Sequence, residues 1–280
     1  AIAEITASSS NPATDVILPG QSKTLTVTTD AASPAYAWYK DNVLLGETSA
    51  TLTATTAGEY KVVVTQTAGC NATAERVFEL VYPTGFTLTI GADAAYTPCT
   101  SSTATLSIAQ FTAATPSGNV DVTGMGYQYQ WYKDNVPVSG ATSATLTLND
   151  AIQNGQYTVQ ATIPDFSPAT SNTQIISLAL DMADVAITAS NGLCQGGTVT
   201  LTAGVNNAGY TYQWYKDNAA LAGETAYTMT ATQEGDYHLT MTSGSCTAQS
   251  NTIHLAIAEI TASSSNPATD VILPGQSKTL

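Results

Sequence analysis

The chain has 280 residues and a formal net charge of −14, because 21 acidic residues outnumber 7 lysines and arginines. So few basic residues argue against nucleic acid or an anionic membrane as a partner, and we expect the acidic surface to be solvated. The carboxylates are scattered singly, unlike the clusters that calcium sites need. No apolar run reaches the roughly 20 residues of a membrane-spanning helix, so no membrane insertion is expected.

The two ends of the chain carry the same sequence. Residues 256–280 repeat residues 1–25 letter for letter, and both read AIAEITASSSNPATDVILPGQSKTL. This identity sets a period of 255 residues and predicts that the chain ends within the next unit of a tandem array. An engineered overlap, or a terminal strand that completes a neighbouring copy, would produce the same identity.

A shorter pattern occurs three times within that period. Each copy begins with an alternating run, at Thr24–Val27, Thr105–Ile108 and Thr200–Ala203. The sequence Trp-Tyr-Lys-Asp-Asn follows, and its tryptophans are Trp38, Trp131 and Trp214. A Gly-x-Tyr sequence comes next, with the tyrosines Tyr60, Tyr157 and Tyr237. Short alternating strands separated by Gly, Asn and Asp turns predict a β-sandwich or barrel.

This spacing resembles the immunoglobulin-like (Ig-like) fold over nearly the whole chain. The resemblance implies an all-β protein of three tandem Ig-like sandwiches in a rod. It also implies that the three tryptophans fill the core from strand C and that the three tyrosines form the tyrosine corner of strand F. The two positions of the family's intersheet disulfide hold aliphatic pairs instead, which are expected to fill the core by packing: Val27 with Val62, Ile108 with Val159, and Ala203 with Leu239.

The repeats divide the chain at short joints. We expect domains at 1–82, 83–180 and 181–255, with 256–280 as the start of the next unit. No Gly/Ser-rich spacer separates them, which favours a stiff rod. The second domain has a long insertion between strands B and C, Phe111 to Gly126, and a turn bracketed by prolines, Pro164 to Pro168. Both segments are expected to pack against the first domain.

The cysteines lie in turns at the domain ends of this topology. Cys99 and Cys194 precede strand B, whereas Cys70 and Cys246 follow strand F. Within one domain these turns would be roughly 30–40 Å apart, and a disulfide requires Cα atoms within about 7 Å. We therefore expect an interdomain bond between Cys99 and Cys246, with Cys194 and Cys70 bonded to adjacent repeats. Free or intradomain cysteines are the alternative.

No residue pattern predicts catalysis, a cofactor or a metal site. The two histidines, His238 and His254, have no carboxylate or cysteine at metal-ligand spacing. The tyrosine after each tryptophan is expected to point outward on the C–F–G sheet, as a candidate contact surface for sugar rings or for a laterally associated copy. Cross-strand packing is the alternative for these residues, which are Tyr39, Tyr132 and Tyr215.

The sequence of the recurring motifs also resembles that of Ig-like repeats in very large Bacteroidota surface proteins, including gliding and adhesion proteins exported by the type IX system. That resemblance implies a non-enzymatic stalk or filament of an adhesin at the bacterial cell surface. Its partners would be neighbouring repeats of the same polypeptide, lateral copies or surface glycans. The alternatives are a carbohydrate- or protein-binding module of an adhesin or secreted enzyme, and a fibre subunit completed by strand exchange.

Overall fold

The computed structural model describes residues 4–69 and 71–258, together with 272, 274–277 and 279. Cys70 and most of the segment expected to begin the next unit lie outside these residues. The described chain is nearly all strand and turn, with one short helix, α1 (Met182–Val185), and one 3-10 turn (Ala151–Gln153). None of the helices in the described part is long and apolar enough to cross a membrane.

The first repeat forms two layers around one core. Its strands are β1 (Ala7–Ser8), β2 (Thr14–Val16), β3 (Lys23–Thr26), β4 (Thr28–Thr29), β5 (Pro34–Lys40), β6 (Val43–Leu44), β7 (Thr51–Ala54), β8 (Gly58–Gln66) and β9 (Thr73–Val81). One layer is the five-stranded sheet β2-β9-β8-β5-β6, in which β2 runs parallel to β9. The pairs β1-β4 and β3-β7 lie in the other layer. Leu25 and Leu52 from that layer share a buried cluster with Trp38 and Phe78, as expected of an Ig-like sandwich.

The second repeat has the same plan with a longer strand B. Its strands are β10 (Gly85–Ala92), β11 (Ala104–Thr115), β12 (Gly118–Asp121), β13 (Gln128–Lys133), β14 (Val136–Pro137), β15 (Thr145–Leu148), β16 (Gly155–Thr162), β17 (Ala169–Thr170) and β18 (Gln174–Ile176). One sheet has the order β10-β11-β12, with β15 also paired to β11. The other has the order β14-β13-β16-β17, with β18 also paired to β16.

Strand β11 differs from the sequence expectation. The expected insertion begins as a continuation of this strand, because β11 stays paired with β10 up to Ala114 and its end, Thr112 to Thr115, also pairs with β12 in a hairpin. Opposite Thr89 and Ile90 the register shifts, which leaves Ala109 as an extra residue. The buried positions therefore change from Leu106 to Phe111, and Ile108, expected in the core, is only half-buried.

The third repeat follows α1. Its strands are β19 (Ile187–Ala189), β20 (Val199–Ala203), β21 (Thr211–Lys216), β22 (Ala219–Ala220), β23 (Thr228–Ala231), β24 (Gly235–Ser243), β25 (Cys246–Gln249) and β26 (Ile253–Leu255). Sheet β19-β20-β23 faces sheet β22-β21-β24-β25, and β26 also pairs with β24. Both sheets contribute to one buried cluster, in which Val199 and Leu201 join Trp214 and Leu239.

The repeated Trp-Tyr-Lys-Asp-Asn sequence builds a tight hairpin between strand C and the short strand after it, in β5–β6, β13–β14 and β21–β22. Its Asp and Asn have positive φ in every repeat, for example 48° and 66° at Asp41 and Asn42. Two such residues are typical of the type I′ turn, whose twist matches the flanking strands. The recurrence of Asp-Asn therefore has a backbone cause.

The same aspartate connects this hairpin to the Gly-x-Tyr sequence. The Asp41 carboxylate accepts a hydrogen bond from the Glu59 N–H at 2.9 Å, and Asp217 does the same with the Asp236 N–H. A Cβ on Gly58 would lie 2.8 Å from Lys40 Cε and 3.0 Å from an Asp41 carboxylate oxygen. The two motifs recur together because glycine leaves space for the aspartate.

The chain packs as two compact units. One comprises residues 1–96, 103–148 and 155–176, and the other comprises 97–102, 149–154 and 177–280. The second unit thus combines the third repeat with two short turns and a C-terminal segment from the sequence of the second. The division into domains at 82, 180 and 255 stays a prediction.

Candidate functional site: the contacts between repeats

A disulfide lies within the second unit. It joins Cys99, in the turn between β10 and β11, to Cys246, the first residue of β25, with a Cα–Cα distance of 5.3 Å. Cys246 is buried, with 2% exposure, whereas Cys99 is exposed and has a φ of 57°. The structure thus brings together the cysteine pair that the sequence predicts.

Hydrogen bonds hold the segments on both sides of this disulfide. The Cys99 N–H donates to the Ser177 carbonyl at 2.7 Å, and the Ala179 N–H donates to the Ser101 carbonyl at 2.9 Å. The hydroxyls of Ser177 and Ser245 are 2.9 Å apart. Residues 97–102 and 177–180 are therefore connected to each other and to the turn that carries Cys246.

Asn154 is a buried polar residue in the same contact. Its Nδ2 donates to the carbonyls of Leu178 and Ser243 at 3.1 and 3.3 Å, and its Oδ1 accepts from the Leu178 N–H at 2.5 Å. The Ser243 hydroxyl in turn donates to the Ala151 carbonyl at 2.6 Å. Because buried polar groups need partners, this side chain fixes three segments in one arrangement. Nothing in the sequence around Asn154 distinguishes it from a surface turn residue.

Apolar contacts complete this joint. Ala151 and Leu180 belong to the same buried cluster as Trp214. The Tyr210 hydroxyl donates to Asp150 Oδ1 at 3.1 Å. Burial, followed by the hydrogen bond to the Asp150 carboxylate, raises the pKa of Tyr210 to about 12. The segments from the sequence of the second repeat are thus part of the third repeat's core.

An acidic groove of about 480 Å³ lies beside these residues, and Asp150, Asp181 and Asp184 line it. Burial, together with the charges of Asp181 and Asp150, raises the pKa of Asp184. Among the residues that the structure describes, no group of three or more His, Cys, Asp or Glu could hold a metal ion.

The contact between the first and second repeats lies within the first unit and is aromatic. The Tyr127 hydroxyl, one residue after the insertion, donates to the Pro19 carbonyl at 3.0 Å and is buried. The Phe166 ring, in the proline-bracketed turn, packs edge-on against Tyr82 with 5.6 Å between centroids and also contacts Phe86. The proline-bracketed turn and the residue that follows the insertion thus contact the first repeat, and packing of the insertion itself stays a prediction.

The repeated core residues lie where the resemblance implies. The three tryptophans are 0% exposed. Their indole N–H groups donate to backbone carbonyls at 2.8–2.9 Å, in Trp38, Trp131 and Trp214 alike. The hydroxyls of Tyr60 and Tyr237 each donate to a carbonyl four residues earlier, which is the tyrosine-corner bond. Tyr157 is buried, and burial raises its pKa.

The candidate contact tyrosines are half-buried, and each has a different neighbour on strand F. Lys61 Nζ lies 5.3 Å from the Tyr39 ring centroid, and the Tyr132 hydroxyl donates to Gln160 Oε1 at 3.1 Å. Tyr215 stacks on His238 with 4.8 Å between centroids. These contacts favour the cross-strand packing interpretation.

The strand register reveals one pair that the sequence reading missed. His254 Nδ1 lies 2.7 Å from Asp236 Oδ1, because the two residues are directly opposite on β26 and β24. Both side chains are largely exposed. Only the register could have indicated this carboxylate neighbour.

Cys194 is exposed and has no disulfide partner within the described part of the chain. It precedes β20 as Cys99 precedes β11. The adjacent Leu193 forms an isolated parallel bridge with Ile257, close to the start of the predicted next unit. The expected partner position for this thiol, the counterpart of Cys70, is not among the described residues.

Residues 183–258 match the model described as the Ig-like domain CHU_C associated. The third repeat is similar to this Ig-like family. No curated protein matches the chain.

Several solved structures are similar to nearly the whole chain. The three N-terminal domains of the outer capsid protein Hoc of bacteriophage RB49 are 19% identical, with 91% of this chain and 99% of that chain covered and a TM-score of 0.38. The I9–I11 tandem from titin is 15% identical, with 90% of this chain and 100% of that chain covered and a TM-score of 0.33. Sidekick-1 immunoglobulin domains 1–5 are 16% identical, with 91% of this chain and 59% of that chain covered and a TM-score of 0.29.

Proposed function

We propose that this chain is a structural segment of an extracellular stalk or filament, built from tandem Ig-like domains of a bacterial surface adhesin. The observation that carries the proposal is the joint around Cys99–Cys246, where a disulfide and the buried Asn154 amide hold three segments together. Such a contact has its polar groups satisfied internally. It is suited to fixing the position of a repeat rather than to exchanging a ligand.

The aromatic contact in the first unit supports the same proposal. Tyr127 donates its hydroxyl to a carbonyl of the first repeat, and Phe166 covers Tyr82. Both are buried or packed interactions across a short connection, without a flexible linker. The partners of each repeat are then its neighbours in the same polypeptide.

The cysteines extend this proposal to the array. Cys194 occupies the turn before strand B, as Cys99 does, and it is exposed. By the rule that pairs Cys99 with the following domain, Cys194 bonds the counterpart of Cys70 in the next unit, and Cys70 bonds the preceding one. Disulfides at these positions fit an oxidising extracellular compartment. The similarity to Bacteroidota surface repeats supports the bacterial location.

A length series tests the stalk. Chains of one, two and four 255-residue units would be compared by small-angle X-ray scattering. A stalk predicts that the maximum dimension grows by a constant increment for each unit, because short joints fix successive repeats. Maximum dimensions that level off as units are added would contradict it.

Binding and strand exchange are the competing outcomes. Glycan-array binding by one unit, lost when Tyr39, Tyr132 and Tyr215 are changed to alanine, would replace the stalk with a carbohydrate-binding module. Concentration-dependent polymerisation of the 280-residue chain that disappears on deletion of residues 256–280 would instead support a strand-exchanged fibre. The stalk predicts neither result.

A further inference from the structure

We infer that the Cys99–Cys246 disulfide acts as an extension clamp that removes most of the second and third repeats from the path of tension along the chain. This inference rests on the proposed stalk function. The two cysteines are 147 residues apart in sequence, yet their Cα atoms are 5.3 Å apart. Tension follows the continuous covalent path, which leaves the backbone at Cys99 and rejoins it at Cys246. Residues 100–245 form a closed loop beside that path.

The loop contains the greater part of both sandwiches. It includes every strand from β11 to β24, and with them Trp131 and Trp214. Unfolding of these strands cannot lengthen a chain that is held at its two ends, since the disulfide bypasses them. The clamp therefore protects the cores of two repeats from extension regardless of how stable those cores are.

The segments that remain in the load path have little length to release. In the second repeat the path includes β10, and in the third it includes β25 and β26. These strands are already extended, at about 3.3 Å per residue, which is close to the limit of a stretched chain. The first repeat lies wholly before Cys99 and has no disulfide among its described residues. It is the extensible part of the segment.

The surroundings of the disulfide keep the clamp in place. Cys246 is buried, and the Cys99 N–H is bonded to the Ser177 carbonyl. The adjoining hydroxyls of Ser177 and Ser245 and the Asn154 amide hold the two chain segments together from both sides. The covalent link thus lies in a packed, hydrogen-bonded region rather than between two mobile loops.

The clamp has a measurable size. A chain extends by at most about 3.3–3.6 Å per residue, so a loop closed across 147 residues withholds roughly 500 Å of contour length. The expected pattern is asymmetric, with release of the first repeat only.

Single-molecule force spectroscopy on the full 280-residue chain, held by handles at its two ends, tests this inference. Under oxidising conditions we expect the extension of the first repeat and no release of the loop. The Cys99→Ser variant should gain roughly 500 Å of contour length. Dithiothreitol added to the unmodified chain should produce the same gain, which provides the test should the variant fail to fold. Cys194→Ser is the matched control and should leave the contour length unchanged.

Equal contour lengths for the oxidised and reduced chains would overturn the clamp. The outcome is separable from that of the stalk. Suppose that the loop is released only on reduction but the maximum dimension does not grow with the number of units. That result would reject the stalk and keep the clamp. A constant increment for each unit, together with equal oxidised and reduced contour lengths, would reject the clamp alone.

Discussion

The glycine at the start of each strand F lies against the aspartate of the preceding hairpin. At Gly58 the φ is 145°, a conformation that L side chains rarely adopt, and the position of a Cβ is occupied by Asp41 and Lys40 atoms. The motif is therefore a structural device that positions strand C against strand F. Its recurrence indicates the fold and carries no information about a ligand.

A substitution at this glycine tests the device. We expect Gly58→Ala to lower the free energy of unfolding by about 1–3 kcal/mol, because of the strained φ and the contact with the Asp41 carboxylate. Gly46→Ala is the matched control, since nothing lies within 4 Å of a Cβ there. Urea denaturation of both variants measures the difference. Equal effects at Gly58 and Gly46 would show that the close approach does not matter.

The same aspartates make the stability of the folded protein depend on pH in the acid range. The backbone N–H of Asp236 and then Lys216 hold the pKa of Asp217 below its usual 3.8, and the Glu59 N–H is the main cause of the same effect at Asp41. A lowered folded-state pKa contributes stability above the unfolded pKa, and that stability is lost as pH falls through the folded pKa. We expect the melting temperature to decrease as the pH is lowered beyond about 4.

The check on this pH dependence is Asp217→Asn, which removes one titrating group and keeps an acceptor oxygen. Its melting temperature should change less steeply between pH 5 and pH 2 than that of the unmodified chain. Thermal denaturation of both proteins across that pH range measures the difference. An unchanged slope would mean that the hydrogen bond from Asp236 does not perturb this carboxyl.

Among the connecting elements, the turn before β16 does more than link two strands. Asn154 makes its bonds to Leu178 and Ser243 from this turn, and Ala151 enters the core of the third repeat. The sequence predicts the strands on either side from their alternation. The function of the turn was not predictable, because a buried amide and an exposed one have the same local sequence signature.

Asn154→Ala should lower the free energy of unfolding by about 1–3 kcal/mol, since it leaves the Leu178 N–H and two carbonyls buried without that partner. The control is Asn149→Ala at the other end of the same turn, where the side chain is exposed. That change should stay within about 0.5 kcal/mol. Chemical denaturation of the two variants measures the contrast, and similar losses would argue against a special role for Asn154.

Strand β11 shows how tertiary contacts override a local pattern. Alternation predicts that Ile108 is buried, but the extra residue at Ala109 shifts the pattern so that Leu106 and Phe111 are buried. The longer strand brings Phe111 next to Tyr127, the residue that reaches Pro19. A bulge depends on the partner strand, so one strand's sequence does not reveal it.

At the scale of the whole molecule, the disulfide belongs to one of two compact units. Reduction should therefore destabilise the second unit by about 2–5 kcal/mol, because both cysteines belong to it and its unfolded chain regains conformational freedom without the bond. Hydrogen exchange measures each unit separately. We expect dithiothreitol to accelerate exchange across β20 to β24 and to leave β5 to β9 unchanged.

The matched variants for that experiment are Cys99→Ser and Cys194→Ser. The first should reproduce the effect of the reductant, and the second should have none, because Cys194 forms no disulfide within the described chain. Acceleration of exchange in both units on reduction would show that the disulfide stabilises the chain as a whole instead of one unit.

The sequence by itself determined the repeats, the all-β class and the chemical identity of the recurring motifs, whose resemblance to the Ig-like family implied the Ig-like fold. These follow from local periodicity, turn residues and spacing, which are properties of neighbouring residues. Only the tertiary structure decided that Asn154 is a buried connector, that His254 faces Asp236, and that Ala109 bulges. Each of these depends on the register between strands that are distant in sequence, and register is set by side-chain packing across the sheets.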